Sequence, residues 1–343
     1  MTERILTRPQ LNRTVLARQL LLERSALTIP EAVEQVGGLQ TQYAPSGYVG
    51  LWTRLAGFER NALTSALEDR TVVQATLMRM TIHVVSASEY WAYAAGVRRA
   101  SRNSALRAPN RATDEGQMVE AGERMRVALA EGPRTVKELG DLATGFVGTL
   151  GLWVDLVRVP PSGTWARRRA DRLALADGWL EPEDVSEDAG LDHLVRAYLR
   201  GFGPAPWRDI ASWAGTSVTD AKRGGVNLAL RRYRDEDGQE LVDLAGAVLT
   251  DPGTPAPVRF LPHWDANLLV HARRTGLLLE PYRSRVFSIR NPFSVGTYLV
   301  DGTVAGAWSL RDGRIVLDPF EELRSRDQRA VDAERDALEA FHA

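Results

Sequence analysis

Cysteine does not occur anywhere in this 343-residue chain. That absence excludes disulfides, thiolate zinc sites and a cysteine nucleophile together. Lysine is almost missing as well: Lys137 and Lys222 are the only two among 43 basic residues. No apolar run reaches the roughly eighteen residues of a membrane-spanning helix. The start, Met1-Thr-Glu-Arg-Ile-Leu-Thr-Arg, lacks the apolar centre of a signal peptide, so a cytoplasmic protein without a membrane role is expected. The P-loop, Gly-x-Gly-x-x-Gly and Gly-x-Ser-x-Gly patterns are absent. The histidines (His83, His193, His263, His271 and His342) show neither His-x-x-x-His nor His-Glu-x-x-His spacing. Neither a metal nor another cofactor is expected.

What remains is a globular composition, 44% hydrophobic and 25% charged. The length suits two or three modules. A net charge of −1 argues at first against a nucleic-acid partner, but the arginines cluster. Arg98, Arg99, Arg102 and Arg107 form one group; Arg167, Arg168, Arg169 and Arg172 form a second. Lys222, Arg223, Arg231, Arg232 and Arg234 form a third. Acidic residues gather elsewhere, so a near-neutral chain can still carry a basic face. High-GC coding would also favour arginine, and that accounts for most of the bias.

The order of elements repeats. A helical stripe of Leu11, Val15, Leu16, Leu20 and Leu22 follows Arg8-Pro9. Thr28-x-x-Glu31 is a capping box opening a second helix that stops at Gly37-Gly38. A third helix runs through Leu51, Trp52 and Leu55, and Leu63–Leu67 adds a further turn of helix. Thr71–Met78 and Thr81–Val85 then read as a hairpin. Helices followed by a hairpin is the order of a winged helix. It recurs with a helix at Val119–Leu129, the capping box Thr135–Glu138 and a wing turn at Pro160–Gly163. A third copy opens at Leu191–Tyr198, has a helix-turn-helix pair broken at Gly215-Thr216, and would take Leu241–Leu249 as its wing. From about Pro257, short apolar runs (Leu268-Leu-Val among them) alternate with turns such as Asp301-Gly302 and Asp312-Gly313, which predicts a small antiparallel sheet. An amphipathic helix at Asp327–Phe341 should pack on the fold. The expected class is mainly α with β (α+β), divided as residues 1–115, 116–187 and 188–255 for three modules and 256–343 for the β-rich domain.

Two polar clusters sit in apolar surroundings. In Leu39-Gln40-Thr41-Gln42, an extended backbone would turn Gln40 and Gln42 to one side, where two amides offer acceptors and donors to one spot. By spacing alone, two glutamines satisfying backbone groups at a helix end is the commoner arrangement. In Arg79-Met-Thr81-Ile-His83, a strand would place Arg79, Thr81 and His83 on one face, which spacing equally allows to be a plain exposed face. Asp265 is a third candidate, with turn capping as its simpler role.

Taken together, several stretches resemble the AlkZ-like family of bacterial winged-helix DNA glycosylases. They are Gly38–Gln42, Met78–His83, Leu156–Trp165, Tyr198–Pro204, Phe260–Asp265 and Leu299–Trp308, in family order over nearly the whole chain. The resemblance implies tandem winged helices joined to a small β-domain, C-shaped around DNA. It implies a monofunctional glycosylase, expected as a monomer, acting in double-stranded damaged DNA on N7-alkylated purines, bulky adducts and interstrand crosslinks made by genotoxic natural products. The family's catalytic Gln-x-Gln falls on Gln40 and Gln42, with Thr41 where an aliphatic residue is usual; a sister branch has Gln-x-Asp. Arg79, Thr81, His83, Arg167, Arg168, Arg273 and Arg274 are the expected DNA or lesion contacts. A neutral amide is a poor base, so it can only hold water and solvate charge, which suffices when the leaving base is already cationic. A DNA-binding transcription regulator without catalysis is the alternative, although three modules and a β-domain in one chain fit a palindrome-reading dimer poorly. A catalytically silent, lesion-shielding relative is a third reading.

Overall fold

The computed structural model describes residues 4–107, 114–142, 151–269, 271–287 and 294–343. The chain opens with a two-residue strand β1 (Ile5–Leu6) and helix α1 (Arg8–Arg18), whose N-cap Thr7 accepts from Gln10 N–H. Helix α2 (Ile29–Val36) starts at the expected box, where Glu31 accepts from Thr28 N–H at 2.9 Å. It ends because Gly37 and Gly38 both adopt positive φ, a conformation costly for other residues. That turn delivers strand β2 (Leu39–Gln40), and α3 (Pro45–Trp52) and α4 (Arg60–Glu68) follow.

Strands β3 (Val72–Thr76) and β4 (Ile82–Ser86) form the expected antiparallel hairpin, in register Val72↔Ser86 to Thr76↔Ile82. Helices α5 (Tyr90–Leu106), α6 (Glu115–Leu129) and α7 (Val136–Leu139) come next, the last opened by the Thr135–Glu138 box. Strands β5 (Arg134–Thr135), β6 (Leu156–Arg158) and β7 (Arg172–Leu175) join the earlier hairpin in one six-stranded sheet, order β2-β4-β3-β6-β7-β5. The glutamine strand is therefore an edge strand backed by elements from both sides of residue 116.

Three helices, α8 (Glu187–Phe202), α9 (Trp207–Ala214) and α10 (Val218–Gly224), precede the ribbon β8 (Leu230–Asp235) and β9 (Glu240–Leu244). This is the helices-then-ribbon order read from the sequence. The expected wing at Leu241–Leu249 is the ribbon's second strand, and it ends at Leu244. Strand β1 adds to β8 in parallel, so Ile5 and Leu6 are tied to the β8–β9 ribbon. Helices α5 and α8 cross backbone to backbone: a Cβ on Gly96 would lie 2.5 Å from Gly190 O, so neither position accepts a side chain.

Strands β10 (Arg259–Leu261), β11 (Gly296–Val300), β12 (Thr303–Arg311) and β13 (Arg314–Pro319) make the expected antiparallel sheet. Asp301-Gly302 and Asp312-Gly313 turn its hairpins with positive φ at every position, as two-residue loops require. Leu268-Leu-Val was expected to be strand-like, yet Ala266–Leu268 is a 3-10 turn opened by Asp265; Val270 lies outside the described residues. The last helix, Ser325–His342, buries Val331 and Leu338 against this sheet. One hydrophobic cluster draws Val15, Val73, Tyr93, Val157, Trp213, Leu268 and Leu299 together, so residues from each of the four expected modules meet in it. Among the described residues, no helix is long and apolar enough to cross a membrane.

Candidate active site

Strand β2 lies antiparallel to β4 with Gln40 opposite His83, and Thr41 N–H extends the ladder to Ile82 O at 2.8 Å. The backbone is extended at Leu39–Gln40, and Gln42 lies in the bend that follows the strand, so the extended alternation expected through Gln42 ends at Gln40. Gln40 is buried and Gln42 exposed. Arg79 Nη2 donates to Gln40 Oε1 at 2.9 Å, and Ile82 N–H donates to Gln42 Oε1 at 3.2 Å. A guanidinium and a backbone N–H can only donate, so each amide is oriented with its oxygen toward the hairpin. One lone pair of each carbonyl is committed; the second lone pair and the NH₂ remain available.

Arg79, Thr81 and His83 do not share a strand face. Arg79 and Met80 have φ of +54° and +57°, which breaks the strand between β3 and β4 into a tight turn. The left-handed backbone turns the Arg79 side chain inward, where its Nη1 donates to Trp213 O at the C-terminal end of α9. Carbonyls at a helix C-terminus are a natural partner for a cation. The approach is close: a Cβ on Gly215 would lie 2.8 Å from Arg79 N. Burial pulls the Arg79 guanidinium down to about 10, which still leaves it charged at neutral pH.

Thr81 Oγ1 donates back to Met78 O at 3.0 Å and so stabilises the turn. His83 is buried in β4, and its Nδ1 lies 3.0 Å from Thr81 O, a carbonyl that can only accept. Burial, reinforced by the nearby Arg79 charge, pushes His83 down to about 3, so it is neutral at physiological pH. Thr41 is buried with its methyl toward Gly47, filling the space that an aliphatic residue would fill. Its hydroxyl has no hydrogen-bond partner among the described residues.

The remaining arginines divide sharply. Arg167 and Arg168 are exposed, and Arg168 Nη1 donates to Tyr43 Oη at 3.0 Å beside the glutamines. Arg273 is exposed but paired with Glu280 at 2.7 Å. The Arg274 side chain is 7% exposed and pairs with Asp209 at 3.2 Å, which removes it from the surface where a phosphate could be met. Arg98 pairs with Asp155, Arg99 with Glu187 and Asp220, and Arg223 with Glu187, so these three arginines join elements of the protein to one another. Asp265 caps its turn through Asn267 N–H and holds Arg54 at 2.9 Å, both side chains being 1% exposed. It is a framework residue. Among the described residues, no group of histidines and carboxylates could hold a metal ion.

Sequence reasoning missed a pocket next to the motif. Tyr43, immediately after Gln42, joins Ser46, Trp165, His263, Trp308 and His342 around a space of about 380 Å³. These residues are scattered over three hundred positions of the chain, roughly, so only the position of Tyr43 beside Gln42 hinted at it.

A family model described as DNA glycosylase AlkZ-like matches residues 33–341, which includes the glutamine strand, the Arg79 turn and the β-rich end. The chain belongs to the AlkZ-like DNA glycosylase family. It is similar to an interstrand DNA cross-link repair glycosylase of Streptomyces sahachiroi, 24% identical, with 92% of this chain and 91% of that protein covered. Its fold matches that of the Streptomyces sahachiroi DNA glycosylase AlkZ with a TM-score of 0.81 at 20% identity, over 98% of this chain and 97% of the other. For this AlkZ-like glycosylase, DNA is the substrate.

Proposed function

We propose that this glycosylase hydrolyses the N-glycosidic bond of cationic N7-alkylated purines in duplex DNA, including bulky adducts and interstrand crosslinks. Gln40 and Gln42 hold the attacking water. The observation that carries the reading is the fixed orientation of both amides, through Arg79 on one and Ile82 N–H on the other. Each carbonyl keeps a lone pair that can accept a water O–H, and neither group titrates. In the reaction the water oxygen bonds to the sugar C1′ as the C1′–N9 bond breaks. The bonding pair moves into the base and cancels its positive charge, and the water's proton passes to solvent. A departing base that is already cationic needs no acid, and oriented dipoles then suffice for the developing sugar cation. An uncharged purine would leave as an anion, for which the motif offers no proton.

The test uses duplexes carrying N7-methylguanine, a bulky N7 adduct, an N7-linked crosslink or an uncharged lesion such as hypoxanthine. Release from the first three and not the fourth, read as alkali-labile abasic sites, is expected. Efficient hypoxanthine release, or none from any N7 lesion, defeats the proposal.

A further inference from the structure

We propose that the aromatic pocket beside Gln42 receives a neutral planar ring carried on the alkyl group of the lesion, while the cationic base itself stays outside. The inference rests on the proposed substrate class and says which part of the substrate the pocket reads. Position comes first: Tyr43 follows Gln42 directly, so a group attached to a base at the glutamines is within a few bonds of the opening.

Size and wall chemistry agree. The space of about 380 Å³ lies at the small end of ligand sites and accommodates one or two fused rings. Its rings form a continuous wall: Tyr43 meets His263 at 5.6 Å, His263 meets Trp308 at 5.7 Å, Trp308 meets His342 at 6.0 Å, and His342 meets Trp165 at 5.2 Å between centroids. Such a wall favours an aromatic guest through offset and edge-to-face contacts. Ser46 also lines the space, and its buried hydroxyl has no hydrogen-bond partner among the described residues.

Charge separates the two parts of the lesion. Burial holds His263 and His342 below the ordinary histidine value, so both are neutral at physiological pH. Arg168 is the one charged side chain among the described lining residues, and no carboxylate stands among them. Its guanidinium lies 5.9 Å from the ring centres of both Tyr43 and Trp165. A cationic purine inside would face this arginine without a counter-charge. A neutral ring would not.

The experiment uses the full chain and two duplexes that differ only in the N7 substituent of one guanine, methyl or benzyl. Fluorescence anisotropy should show the wild type binding the benzyl duplex about tenfold more tightly, a modest value for one stacked ring. Ser309→Phe places a ring in the same space from β12, and Trp165→Ala removes part of the wall. Each should erase the preference while leaving the methyl duplex bound as before. Equal wild-type binding of the two duplexes overturns the inference, as do variants that weaken both equally. Base release is followed on the same duplexes. A retained benzyl preference without release from either would sink the glycosidic reading and leave the pocket's role standing.

Discussion

Arg79 on the β3–β4 turn donates to the side-chain oxygen of Gln40 while its other terminal nitrogen donates to Trp213 O on α9. One guanidinium thus joins a motif near residue 40 to a helix end near residue 213. The Gln40 amide is oriented by a residue from another element and not by its own strand.

On the proposed role of Gln40, Arg79 acts as a positioning residue. Arg79→Met should lower the single-turnover excision rate by about ten- to a hundredfold with the half-saturating protein concentration little changed. Arg79→Lys should recover part of the loss. Equal loss of rate and binding, or no rescue by lysine, would point to a general folding defect instead.

Gln40→Ala and Gln42→Ala should each cost about 10²–10³ in single-turnover rate, the scale of removing one oriented dipole. The double variant should lose less than the product of the two, because both amides act on one water. Wild-type rates in both single variants on N7-methylguanine DNA would remove the glutamines from the mechanism.

Thr41→Val should stabilise the protein. The threonine hydroxyl is buried without a partner, and removing it at constant shape avoids a desolvation cost of about 1–3 kcal/mol. A urea midpoint that rises, with excision retained, is the expected outcome. A fall in the midpoint would show that the hydroxyl is satisfied in solution.

Acid should destabilise the fold early. Burial, with nearby arginine charges, pushes His83 and His271 down to about 3 and His193 down to about 4. Their unfolded values stay near 6.5, so below that pH the unfolded chain binds more protons than the native one. Stability is then full above about pH 6.5 and falls toward pH 4 by up to about 1.4 kcal/mol per unit for each histidine. Denaturant midpoints that stay flat from pH 7 to 5 would contradict this.

Much of the local architecture was legible in the sequence because its causes are local. The Thr28 and Thr135 boxes open helices through contacts three residues long, and Gly37-Gly38 ends one because few other residues take that backbone. The Asp-Gly pairs turn hairpins for the same conformational reason. Alternation along an extended chain was enough to turn Gln40 and Gln42 into a candidate pair, and the order of motifs was enough to suggest the family. The strand expected at Arg79–His83 failed where two left-handed residues interrupt it, which neither periodicity nor propensity signals.

The use of each charge and ring was decided only by tertiary structure. Arg274 and Arg168 read alike as expected DNA contacts, yet Asp209 draws one inward while Tyr43 holds the other beside a pocket. Gln40 acquires its orientation from Arg79, and the pocket assembles Tyr43, Trp165, His263, Trp308 and His342 from separate elements. Local conformational preference acts over a few bonds and leaves its mark in neighbouring residues. Burial and partner choice depend on which distant surfaces meet, and that is settled only when the whole core closes.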